Sequence, residues 1–168
     1  MSSSVTTPTR VSGDEFKAAM ASFAAGVTII TTTDGAGQPF GLTATAFSSV
    51  SKEPPLCLVC VSHAADAYPA LHAAGRFAVN ILAHAQKDLS ARFATHGIDK
   101  FAGVAWAPGR ATGCPLLDGA LASVECVVST TVAAGEHDVI VGAIQSIRVA
   151  DGAPLVYFRG HYRELVAR

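Results

Sequence analysis

Apolar and polar positions along this chain follow a strand rhythm for most of its length, interrupted by short helical stretches. Ser12 and Glu15 have capping-box spacing, and Phe16, Ala19, Met20 and Phe23 share one helical face, so a helix is expected from residue 13. Gly26 stands where a C-terminal cap belongs. Val27, Thr28, Ile29, Ile30, Thr31, Thr32 and Thr33 are all β-branched and predict a strand. Asp34 to Gly37 is a turn. Strand material resumes at Phe40 and continues, with a bend, to Val50, and Pro54-Pro55 breaks it. Residues 56–62 form the next strand, 66–74 a helix stopped by Gly75, and 76–82 another strand. Residues 86–95 read as a helix ending at Gly97, and 98–117 as looser chain. Three β-rich stretches close the sequence at 121–132, 138–149 and 154–159, with Asp151-Gly152 as the last turn. Strands and helices do not alternate regularly, so a parallel doubly wound sheet is not expected. A mainly β architecture with short helices, built as an antiparallel barrel, is.

Composition sharpens this picture. The chain has 168 residues, 50% hydrophobic but only 7% aromatic and 15% charged, with 31 alanines and 17 valines. One domain, residues 13–168, is expected behind a flexible N-terminal arm, residues 1–12. High apolar content with low charge excludes disorder. Twelve Lys+Arg against thirteen Asp+Glu leave no basic excess, so no nucleic-acid partner is expected. So few charges cannot coat a monomer well, which points to a large interface with a second copy. The strongest apolar run, residues 56–61, is far short of the ~20 residues of a spanning helix, and the first ten residues lack a signal-like apolar core. No membrane partner and a cytoplasmic location are the expectation.

Several motifs carry less than they suggest. Cys57 and Cys60 form C-x-x-C inside a predicted strand, where residues three apart face opposite ways, and Cys114 and Cys126 stand alone. They read as small apolar residues. Gly35, Gly37 and Gly41 imitate a dinucleotide fingerprint, but the third glycine is one place late and no helix follows. The histidines, at 63, 72, 84, 96, 137 and 161, lack metal spacing. Residues 41–51 are unusual, with five hydroxyls among small residues. Small residues let a flat ligand approach the backbone, where hydroxyls and N–H groups meet its polar edge. A strand with solvent-facing threonines followed by a serine-rich turn accounts for the same residues.

Gly26-Val27-Thr28, Gly41-Leu42-Thr43-Ala44, Phe47-Ser48-Ser49-Val50-Ser51 and Pro54-Pro55-Leu56 occur in an order that resembles the short-chain flavin reductase family. These are the NAD(P)H:flavin oxidoreductase components of two-component flavin-dependent monooxygenases. The likeness continues through Phe77 to Leu82, Leu89 to Ala94, Asp99-Lys100-Phe101, Gly135-Glu136-His137, Val141-Gly142 and Pro154 to Gly160 with Tyr162, about residues 16–165 in all. Glu136 departs from the family's usual Asp. The resemblance implies an antiparallel split β-barrel of the FMN-binding type, working as a homodimer with flavin near the subunit boundary. It implies that Thr43, Ala44, Thr45, Ala46, Ser48, Ser49, Val50 and Ser51 hold the flavin ring and ribityl chain. Ser62, Arg92 and Phe93 would sit at the phosphate end, and Asn80 would line the ring site. His137, Tyr162 and Arg159 would lie on the nicotinamide side, His137 orienting the nucleotide rather than exchanging protons. Lys100 is either a surface residue or an anion contact. The implied cofactors are FMN or FAD with NADH or NADPH, and no metal. The implied reaction passes a hydride from nicotinamide C4 to flavin N5 and supplies the reduced flavin by diffusion to a separate monooxygenase. Two alternatives stand beside it: a non-catalytic flavin- or haem-binding module, and an oxidase of a phosphorylated vitamin, which would need a denser basic cluster.

Overall fold

The computed structural model describes residues 10–165. The expected arm at residues 1–9 lies outside the described residues, and Arg10 to Ser12 are exposed coil. Helix α1 (Gly13–Ala21) starts on the expected capping box: Ser12 Oγ accepts from Glu15 N, and Glu15 Oε2 accepts from Ser12 N at 2.8 Å. The helix is shorter than expected. Ser22 and Phe23 close it through Ala19 and Met20 carbonyls, and Gly26 belongs to strand β1 (Ala25–Gly26) instead of a cap.

Strands β2 (Thr28–Thr33), β3 (Pro39–Ala44), β4 (Phe47–Lys52) and β5 (Pro55–Ser62) follow. Helix α2 (Tyr68–Ala74) ends at Gly75, whose φ of +62° suits a residue without Cβ. Then come β6 (Arg76–Ile81), a short 3-10 turn (His84–Gln86), α3 (Lys87–Ala94), β7 (Trp106–Pro108), β8 (Pro115–Leu117), β9 (Ala122–Ala134), β10 (His137–Val149), β11 (Val156–Phe158) and β12 (His161–Arg163). Seven strands pair antiparallel in the order β3-β2-β6-β9-β10-β5-β4. The two edge strands of that sheet, β3 and β4, are joined by the bend at Thr45-Ala46, and Cys60 N donates to the carbonyl of Ala46 at 3.0 Å. This is the expected antiparallel barrel.

Alternation sorts the side chains. On β5, Cys57, Val59 and Val61 point inward, with Ile30, Phe77, Val79, Cys126 and Ile140 completing the barrel core. Cys60 faces the other way, as the spacing requires. Cys126 is not alone, because its Sγ lies 3.5 Å from Cys57 Sγ. Gly142 on the intervening strand β10 makes the room: a Cβ there would come within 2.6 Å of Phe77 Cζ and 2.7 Å of Cys126 Cβ. Strand β2 is buried on both faces. Its Ile29 joins a second core outside the barrel with Leu82, Phe93, Leu117 and Leu155. That double burial accounts for its unbroken β-branched run.

Asn80 ties the two layers together. It is fully buried. Its Nδ2 donates to Ile29 O, Thr31 Oγ1 and Pro115 O, and its Oδ1 accepts from Leu117 N and Ser123 Oγ. No hydrogen-bonding capacity is left for a ligand. Asn80, expected to line a ring site, stands in the structure as an interior bracket with its polar atoms paired inside the protein.

Candidate functional site

The end of β3, the loop after β5, the end of α3 and the loop behind it enclose a cleft of two adjoining cavities. One, of about 200 Å³, is lined by Leu42, Thr43, Ser62, Ala64, Ala65, Asp66, Phe93, Ala94, His96 and Lys100. The other, of about 310 Å³, continues past Asp66 and Lys100 to Gln38, Phe40, Gly97, Ile98 and Phe101. Small residues keep its walls thin. Gly41 is one of them, since a Cβ there would strike the Phe93 ring at 2.6 Å. Phe93 is buried and meets Phe101 edge-on at 5.0 Å, so it is the floor of the cleft and not a polar contact.

Three carboxylate or hydroxyl clusters hold the walls. Asp66 accepts from Gly97 N at 3.0 Å and faces His96 Nδ1 at 3.1 Å and Lys100 Nζ at 3.6 Å. The Gly97 N–H, then His96 and Lys100, hold its carboxyl below the usual range. Asp138 on β10 faces His63 Nε2 at 2.9 Å and accepts from Tyr68 OH at 2.8 Å, pinning both ends of the loop between β5 and α2. Ser90, buried on α3, links two expected site residues: Thr43 Oγ1 donates to its carbonyl at 2.7 Å and Tyr162 OH donates to its hydroxyl at 2.9 Å.

The expected residues fall into separate groups. Thr43, Ser62 and Phe93 meet in the cleft. His137 stands directly opposite Ser62 in the β10–β5 ladder, with its side chain half exposed. Ala44 points into the barrel. Thr45 lies in a different cavity, of about 330 Å³, with Phe23, Gly26, Thr28 and Phe47. Ala46, Ser48, Ser49 and Val50 are exposed, Ser51 is half-buried, and Ser48 Oγ donates to the carbonyl of Ser49 at 3.1 Å. Arg92 is not with Ser62. It lines a separate groove with Asp88 and Asp118, and its Nη2 donates to the carbonyl of Asp99 at 3.3 Å. Tyr162 spends its proton on Ser90, and Arg159 sits exposed over the Phe158 ring at 5.2 Å. Asp66 and His96 were missed by sequence reasoning. Thirty residues separate them, and no local pattern couples them.

The cleft fits a flavin nucleotide in kind. It joins two cavities, has Gly41, Ala64, Ala65, Ala94 and Gly97 among its lining, and carries the ammonium of Lys100, 8% exposed. Residues 20–166 match the flavin reductase like domain, and the chain belongs to that family. It is 42% identical to a probable flavin reductase of Rhizobium meliloti over 86% of its own length, and spans about half, 46%, of that relative. It is 38% identical to the reductase subunit HsaB of a flavin-dependent monooxygenase of Mycobacterium tuberculosis, covering 88% of this chain and 79% of that one. Among solved structures, the NADH:FAD oxidoreductase SgcE6 of Streptomyces globisporus, in complex with NAD and FAD fragments, superposes with a TM-score of 0.86 at 31% identity, covering 91% of this chain and 92% of that one. No helix among the described residues is long and apolar enough to cross a membrane.

Proposed function

We propose that the chain is an NAD(P)H:flavin oxidoreductase that reduces FMN or FAD and passes the product to a separate monooxygenase. The observation that carries this reading is the two-part cleft meeting at Lys100, with His137 one strand away opposite Ser62. A flavin held there would supply the ring that accepts a hydride from a reduced nicotinamide, so the chemistry would belong to the two ring systems. The protein's task is to hold the rings in contact geometry. Ser62 offers a hydroxyl to the cleft, Thr43 lines it with its own proton held by the Ser90 carbonyl, and Phe93 sets its depth under Gly41. His137, half exposed at the start of β10, orients the nicotinamide nucleotide. Tyr162 acts from behind, fixing Ser90 and through it Thr43.

A homodimer completes the reading. Phe16, Met20 and Phe23 on the α1 segment, and Val127, Val132, Ile147 and Val149 on the long β9–β10 ribbon, are exposed apolar residues that a second copy would cover. Nicotinamide oxidation followed by absorbance, with FMN, FAD and riboflavin added in turn, tests the activity. Turnover with at least one flavin is expected, and none with any of them overturns the proposal. His137→Ala is expected to raise KM for NAD(P)H about tenfold with flavin affinity unchanged, the loss of roughly one hydrogen bond.

A further inference from the structure

Asp138 is a carboxylate at the end of an apolar barrel. It is 5% exposed, and the inward residues that follow it on β10 are Ile140 and Gly142. Closing a barrel end requires no charge, since an apolar side chain fills such a place without the cost of desolvating one. This carboxylate is engaged at both oxygens: Oδ1 faces His63 Nε2 at 2.9 Å, and Oδ2 accepts from Tyr68 OH at 2.8 Å. The rings of His63 and Tyr68 also meet, 5.0 Å apart between centroids. These contacts converge on one corner of the molecule. His63 N donates to the carbonyl of Glu136 at 3.0 Å, and Ser62 stands opposite His137 in the ladder. The chain is thus tied to His63 on both sides of His137, through the main chain at Glu136 and through the side chain at Asp138. The His137 ring is half exposed, and Glu136 Oε1 faces it at 4.0 Å, too far for a hydrogen bond. Its direction rests on the backbone that carries it.

We propose that Asp138 is a positioning residue for the nicotinamide nucleotide, acting through His63 to fix the backbone that aims His137. The assignment rests on the flavin-reductase reading above and on the place it gives His137. The flavin cleft is spared. The part of the β5–α2 loop that lines it has an anchor of its own in Asp66, which accepts from Gly97 N at 3.0 Å and faces His96 Nδ1 at 3.1 Å. Loss of the Asp138 contact is therefore felt at the His63–Glu136 corner and not in the cleft.

The test is a double-mutant cycle read in steady-state kinetics, with flavin affinity measured separately by fluorescence quenching. Asp138→Asn is expected to raise KM for NAD(P)H about three- to tenfold, with kcat and the flavin Kd each within about twofold of wild type. His63→Ala is expected to match it, and His63→Gln, which keeps a donor for Asp138, to recover most of the loss. In a His137→Ala background, Asp138→Asn should add less than about twofold, because the group it aims is gone. Where Asp138→Asn does not fold, as judged by circular dichroism, His63→Ala carries the cycle from the other side of the contact. An unchanged KM, losses that add in the double variant, or flavin weakened as much as NAD(P)H overturns the assignment and leaves the enzyme reading standing. A wild type that oxidises no NAD(P)H with any flavin overturns both.

Discussion

At the scale of single residues, chemistry that looks alike in sequence is used for opposite purposes. Asn80 and Lys100 both match the family pattern, and both are buried. Asn80 satisfies all its capacity inside the protein, whereas Lys100 donates to the Gly41 carbonyl and faces Asp66 at the wall of a cavity. Asn80→Ala is expected to cost about 2–4 kcal/mol in denaturant unfolding, because Leu117 N and Ser123 Oγ lose their acceptor and a hole is left. Flavin KM in the folded variant should stay within about twofold. A large rise in KM at unchanged stability would return Asn80 to the ring site. Gly142→Ala should likewise destabilise by about 1–3 kcal/mol, since the new methyl has nowhere to go between the Phe77 ring and Cys126, and a shift in denaturation midpoint measures it.

At the scale of elements, the loop between β5 and α2 is the part of the cleft held by charge. Its two ends meet at Asp138, and its middle reaches Asp66. His63, then the Tyr68 hydroxyl, hold the Asp138 carboxyl below the ordinary carboxylate range. A carboxyl whose folded pKa is depressed stabilises the fold above its unfolded value, about 3.9, and loses that contribution as pH falls through the folded value. Wild type should therefore exceed Asp138→Asn in Tm at neutral pH, and the gap should close below about pH 4. A gap independent of pH would mean that the charge is not what holds the loop. These elements were unevenly legible. The capping box of α1 and the both-sides-buried run of β2 announce themselves locally, because each is set by neighbours in sequence. The hairpin of β11 and β12 was half seen. Its two-residue turn, Arg159-Gly160, has φ of +48° and +79°, and Gly160 is its one mark in the sequence. Asp66 looked like the start of a helix because its composition is helical, but its partners are 31 and 34 residues away, where no window reaches. The β7–β8 pair was lost for a similar reason: its three-residue strands are held by the second core more than by their own pattern.

At the scale of the whole molecule, the small apolar residues that dominate the composition have two destinations. Many fill the barrel, where Gly142, Cys57 and Cys126 pack around Phe77. Others remain outside on the β9–β10 ribbon and on α1, and just past α1 the ring of Phe23 is 78% exposed. Ile147→Arg is expected to shift the protein from dimer toward monomer in sedimentation velocity, and a wild type that sediments as a monomer at all concentrations would remove the need for a partner copy. Helix α1 carries the sharper consequence. It buries none of its nine residues, and an isolated helix of that length is marginal in water even with a good cap. If the proposed second copy covers it, its helicity belongs to the association equilibrium more than to the chain. Amide hydrogens of residues 13–21 should exchange freely in dilute protein and slow as concentration rises, while those of β2 and β6 exchange at a rate indifferent to dilution.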